Sequence, residues 1–184
     1  MKCYQENEII FNEGGSSKYY FQIKEGAVKI CNMFDEGKEF VHGFPFNGHC
    51  FGESYLLTDK PYAISAIALT DCTVILLSRQ NYLELIDNNP NILINVNQYT
   101  ADRLHFRYLI SSFLAVSDPS VRIKKLLDHL KDYFGHIEPY TFQVPFTRYQ
   151  LASLVGLRVE TVIRIIKKME AAKLLKINQT KIYY

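Results

Sequence analysis

Up to about Leu77 the hydrophobic residues come in short alternating runs, at 8–11, 19–24, 28–32, 39–44, 63–69 and 73–77, separated by Gly, Asn and Asp. Alternation puts every second side chain on one face of a strand, so this succession of runs predicts a β-sandwich or roll. Gly14, Gly15, Gly26, Gly37, Gly43, Gly48 and Gly52 fall at the breaks, where a positive φ is cheap only for glycine. Beyond the last run the period changes. Ser78-Arg79-Gln80-Asn81 opens a short helix to about Ile86, and Asn88-Asn89-Pro90 marks a turn. From 91 to 115 there is neither Gly nor Pro, and Leu93, Val96, Thr100, Leu104, Arg107, Ile110, Ser111 and Leu114 recur at helical steps. At about 1.5 Å per residue this helix is roughly 37 Å long, more than one face of so small a domain covers. A second copy, in a parallel two-stranded coil, would cover the rest, with Thr100, Arg107 and Ser111 as flaws in the seam. The other reading is a helix packed on its own sheet. Ser117-Asp118-Pro119 then caps a helix over 121–134, with Ile123, Leu126, Leu127 and Leu130 inward and Gly135 as its stop.

Residues 148–167 have the spacing of a helix-turn-helix. Ala152 is small where a second helix crosses close, Gly156 permits a left-handed turn, and Leu157, Val162 and Ile165 anchor the second helix on the first. Arg158, Val159, Glu160, Ile163, Arg164, Lys167 and Lys168 remain for the outer face, the one a major groove would receive. An amphipathic hairpin with a solvated basic face satisfies the same pattern. Runs at 175–177 and 181–184 predict a terminal hairpin.

Charge separates these readings. The net charge is only +2, yet residues 1–90 hold 7 basic and 12 acidic side chains, 91–145 hold 6 and 5, and 146–184 hold 8 and 2. A basic end behind an acidic front suggests that the end meets a polyanion. At 48% hydrophobic and 22% charged the chain can bury a core. Its apolar stretches are far shorter than the roughly 20 residues of a membrane span, and residues 1–6 lack the pattern of a secretory signal. No membrane partner and a cytoplasmic location are expected. Cys3, Cys31, Cys50 and Cys72 are scattered, so their spacing writes neither a zinc site nor a disulfide framework.

The motifs taken together resemble the cyclic-AMP receptor and fumarate-nitrate regulator (Crp/Fnr) family of bacterial transcription factors over nearly the whole chain. Ile10-Phe11-Asn12-Glu13-Gly14, Gly26-Ala27-Val28-Lys29-Ile30, Phe51-Gly52-Glu53-Ser54 and Gly156-Leu157-Arg158-Val159-Glu160-Thr161-Val162-Ile163-Arg164 carry the resemblance, in that order. It implies an α+β fold with three parts. An effector-binding β-roll like the cyclic-nucleotide-binding jelly roll spans 1–90, a dimerisation helix 91–115, and a winged helix-turn-helix 116–184. It also implies a homodimer on palindromic double-stranded DNA, with RNA polymerase as a further partner if the protein activates; no catalysis is expected, because nothing in the chain resembles a nucleophile triad, a P-loop or a dinucleotide fingerprint. Glu160 and Arg164 are similar to the family's base readers, the acid accepting from cytosine and the arginine donating to guanine in a TGA element. Val159 resembles the branch that prefers a TTGA-type half-site. Ile163 departs from the Gly or Ser of both branches, so it would touch a thymine methyl or alter the half-site. Arg158 replaces the usual Ser or Thr helix cap and would grip a phosphate instead. Thr147, Arg148, Thr161 and Lys167, with Asn178 and Lys181 in the wing, match phosphate-contacting positions.

The resemblance places an effector pocket at Gly52, Glu53, Ser54, Tyr62 and Ala63, with Arg107 and Tyr108 of the long helix reaching the base. Cyclic-nucleotide-binding members use an Arg-Ser pair where this chain has Tyr62-Ala63. A buried phosphate would lack its counter-charge, which argues against cyclic AMP and gives Glu53 a structural role, accepting N–H groups of its own loop. A lone N-terminal Cys3 argues against an iron–sulfur cluster. His42, His49, His105 and Met33 leave haem ligation open. The effector is therefore unidentified, and no cofactor is required. The chain also begins close to its first strand, which implies a shorter N-terminal segment than many relatives have. Two other functions fit parts of the chain. His42, His49, Cys50 and Glu53 could serve a metal-dependent cupin-type enzyme, and a ligand-binding module without DNA binding would use the roll alone.

Overall fold

The computed structural model describes residues 1–34 and 39–184. Gly37, one of the expected turn glycines, lies outside them. The chain forms two compact units, Met1–His105 and Phe106–Tyr184.

In the first unit the strands are β1 (Lys2–Tyr4), β2 (Ile9–Phe11), β3 (Tyr19–Glu25), β4 (Val28–Met33), β5 (Glu39–Gly43), β6 (Cys50–Phe51), β7 (Ser65–Ala68) and β8 (Cys72–Ser78). They form two four-stranded antiparallel sheets, ordered β1-β8-β3-β6 and β2-β7-β4-β5. Phe21, Ile23, Phe51 and Val74 come from the first sheet and Val28, Ile30, Ala66 and Ala68 from the second, and all join one buried cluster. The six runs read from the sequence correspond to β2, β3, β4, β5, β7 and β8. β1 and β6 were not expected, because three and two residues are too few to show alternation. Helix α1 (Glu53–Thr58) was also missed and takes the place of the loop expected around Glu53.

Ser78 caps α2 (Arg79–Asn88), its hydroxyl accepting from the Asn81 N–H at 3.2 Å. The predicted long helix is α3 (Pro90–Leu114), and the division between the two units falls within it. In the second unit Asp118 caps α4 (Pro119–Tyr133), with Pro119 at the first turn. Ile123, Leu126, Leu127 and Leu130 of α4 are buried, as are Leu151, Ala152, Leu154 and Val155 of α5 (Arg148–Val155) and Val162, Ile165, Ile166 and Met169 of α6 (Val159–Ala171). A hairpin of β9 (Lys176–Asn178) and β10 (Lys181–Tyr183) closes the unit. No helix among the described residues is long and apolar enough to cross a membrane.

Candidate nucleic-acid interface and effector pocket

Helix α5 starts on a complete capping box. The Thr147 hydroxyl accepts from the Gln150 N–H, and the Gln150 side chain accepts in return from the Thr147 N–H at 2.8 Å. It ends at Gly156, in the left-handed conformation at φ 61°, whose N–H donates to the Ala152 carbonyl. That bend costs little only for a residue without Cβ, and it launches α6 across α5. Val162 and Ile166 are fully buried on the inner face of α6, while Glu160, Ile163, Arg164, Lys167 and Lys168 are exposed on the outer face. Glu160, Ile163, Arg164, Lys167, Lys168 and Ala171 line a shallow groove of about 490 Å³ along the helix. Val159 and Thr161 are half-buried at its start. Arg158 occupies the cap position and makes no side-chain cap bond, as its identity predicts.

The other predicted DNA-contacting residues fall on α5 and the hairpin. An Arg148 guanidinium nitrogen donates to the Thr180 carbonyl at 2.5 Å, tying the start of α5 to the hairpin turn. Gln179 and Thr180 both have positive φ, 45° and 70°, as a two-residue type I′ turn demands. Asn178 and Lys181 are directly paired on either side of that turn, and both are exposed.

In the first unit β6 passes into α1 through Gly52, at φ 80°, where a Cβ would lie 3.1 Å from the Phe21 ring. This tight passage aims Glu53 inward, and the residue is only 2% exposed. Its carboxylate does not serve its own loop. One oxygen takes a guanidinium N–H of Arg103 and, at 3.1 Å, the Thr100 hydroxyl, while Arg103 also donates to the Cys50 carbonyl at 3.1 Å. A buried carboxylate needs a counter-charge more than it needs N–H donors, and α3 supplies one. Burial, with the Glu53 charge second, pushes the Cys50 thiol up to about 11. Ser54 points out to solvent. Tyr62 is 3% exposed, stacked on Phe11 with ring centres 3.8 Å apart, and its hydroxyl donates to the Tyr19 carbonyl. Ala63 is exposed.

Arg107 and Tyr108 belong to the second unit. Arg107 is half-buried, and burial lowers its pKa from the ordinary value, while Tyr108 is exposed. The stripe of α3 is not one face. The Thr100 hydroxyl is turned to Glu53 and Ile110 is fully buried within the chain, whereas Leu93, Val96 and Leu114 are half-buried and Leu104 is exposed. The groups considered for metal or haem are dispersed. His42 lies 2.5 Å from the Asn32 side-chain oxygen, the His49 ring sits by Phe46 and Tyr99, Met33 lies by Cys31, and His105 is exposed. Among the described residues no group of three or more His, Cys, Asp or Glu is placed to hold a metal ion.

Two family models match the chain in the order of its two units: a cyclic nucleotide-binding domain over residues 1–89 and a Crp-like helix-turn-helix domain over 121–183. The chain belongs to the Crp/Fnr family. This Crp/Fnr regulator is 29% identical over 174 residues to the cAMP-activated global transcriptional regulator CRP of Haemophilus influenzae, covering 94% of this chain and 78% of that protein. It is 25% identical over 176 residues to the transcriptional activatory protein AadR of Rhodopseudomonas palustris, covering 95% and 72%. Its fold is similar to that of the c-di-GMP responsive global regulator CLP of Xanthomonas campestris, with a TM-score of 0.80 at 25% identity over 99% of this chain and 91% of that one. A CooA mutant from Carboxydothermus hydrogenoformans shares the fold at a TM-score of 0.86 and 18% identity, covering 99% and 81%. The protein is thus a DNA-binding transcription regulator of the Crp/Fnr type and not an enzyme. The cupin reading falls with that assignment. In this Crp/Fnr chain the residue that sequence reasoning missed is Arg103. The signal for it was Glu53 itself, an acid in an apolar setting that required a cation from elsewhere.

Proposed function

We propose that the protein acts as a homodimer, joined along α3, on a palindromic operator with TTGA-like half-sites, under allosteric control by an effector other than cyclic AMP. The observation that carries the DNA reading is the outer face of α6, where Glu160 and Arg164 stand one turn apart in a groove edged by Lys167 and Lys168. An acid and an arginine so spaced suit an acceptor for cytosine N4 and a bidentate donor to guanine. Arg148, Arg158, Lys167 and Lys181, with Thr147, Thr161 and Asn178, suit the phosphates and the register they fix. The exposed Ile94, Leu104 and Tyr108 on α3 support the dimer, because a solvent-facing apolar strip on a 25-residue helix is costly until covered.

The residues present do not fit a cyclic nucleotide. Tyr62 and Phe11 stack where the phosphate would need a guanidinium, and the carboxylate that would take the ribose is held by Arg103 and Thr100. RNA polymerase is a partner if the regulator activates. Its differential affinity for two states of the dimer is all that an effector can contribute, typically about 1–3 kcal/mol.

The test is binding of the purified chain, without effector, to a palindrome of two TTGA half-sites about one helical turn apart, at two salt concentrations. Specific binding should weaken by about 1–3 kcal/mol per half-site in Glu160→Ala and in Arg164→Ala. Salt-independent binding, or no affinity for DNA at all, would favour the ligand-binding module instead.

A further inference from the structure

Ile163 is 37% exposed on a helix face whose other outward residues are Glu160, Arg164, Lys167 and Lys168. Val159 lies four residues earlier, half-buried, so the two form a short apolar strip running beside the Glu160–Arg164 strip. Val162 and Ile166, the buried neighbours of Ile163, already fill the inner face.

Base edges in a major groove offer one apolar group larger than a hydrogen atom, the C5-methyl of thymine, and beside the C5–H of cytosine and the C8–H of purines the remaining groups are hydrogen-bond donors and acceptors. An isoleucine offers neither donor nor acceptor. Against cytosine N4 or guanine O6 it would strip water and return no bond, leaving a polar group unsatisfied at a cost. Against a methyl group it gains from excluding water on both sides. We infer that Ile163 is a specificity-determining residue that selects a thymine by its methyl group, in the half-site read by Glu160 and Arg164. This selection rests on the DNA reading proposed above and adds to it the means by which one base is chosen: favourable contact with the methyl and rejection of polar base edges.

The experiment begins by recovering the operator, selecting from a random duplex pool with the full chain. Each thymine of the enriched half-site is then replaced by deoxyuridine, which deletes the methyl and keeps every hydrogen bond. At one thymine the wild-type chain should lose about fourfold in affinity per half-site, and about fifteenfold when both half-sites are changed, the size expected for one buried methyl group. Ile163→Val should keep that sensitivity. Ile163→Ser and Ile163→Ala should bind the thymine operator more weakly and no longer distinguish thymine from uracil, while staying folded at the assay temperature by circular dichroism, since with the side chain 37% exposed only part of its packing is lost. If an operator is enriched but no thymine shows a methyl effect that depends on residue 163, the inference is overturned and the DNA reading stands. If no sequence is enriched, the DNA reading fails and the inference falls with it.

Discussion

Removing the Arg103 side chain leaves the Glu53 carboxylate inside the protein without its cation. Arg103→Ala is expected to destabilise the first unit by about 3 kcal/mol, toward the lower end for a buried pair because the guanidinium is itself about one-third exposed. Urea unfolding measures this, and an unchanged midpoint would show that water compensates. His49 supplies a pH dependence. Burial, with Arg103 second, lowers its pKa from 6.5. The unfolded chain therefore takes up the His49 proton before the folded one does, so stability is flat above the ordinary value and falls as pH drops through it toward the lowered value. The difference in unfolding free energy between wild type and His49→Gln should be constant above neutrality and narrow on acidification. The Glu53–Arg103 pair also shows a limit of reading residues singly. The acid at 53 was legible as structural, and its partner, fifty residues away, was not.

At the scale of elements the helix-turn-helix was the most legible part, because each of its requirements is local: a small residue at 152, a left-handed turn at Gly156, apolar anchors at 162 and 165. The missing cap at Arg158 was equally legible. Restoring one with Arg158→Ser should stabilise the second unit by about 1 kcal/mol, read as a raised thermal midpoint, while weakening DNA binding through loss of a cation. β1, β6 and α1 were illegible for one reason. Elements of 3, 2 and 6 residues are too short for periodicity to show, and they exist because longer neighbours hold them. β8 pairs with β1 and β3 with β6.

For the whole molecule, the open strip of α3 predicts assembly. Leu104→Glu, at a side chain 49% exposed, should turn a dimer into a monomer in analytical ultracentrifugation without unfolding the chain. It should also weaken operator binding far more than binding to random DNA, because a palindrome rewards two linked readers. A dimer unaffected by Leu104→Glu would place the interface elsewhere. The seam read from heptad-like spacing was only partly legible at this scale, since Thr100 and Ile110 share its period and yet face the chain's own interior.

An acidic, β-rich front, one long helix and a basic helical hairpin follow from the chain alone, because alternation, helical period, glycine placement and charge act over a few residues. Tertiary structure decided what depends on contacts distant in sequence: that Glu53 bonds to α3 and not to its own loop, that Tyr62 closes on Phe11, and which side of α3 remains in water. Those outcomes are set by the need to neutralise a buried charge and to cover apolar area, and a residue's near neighbours in sequence record neither.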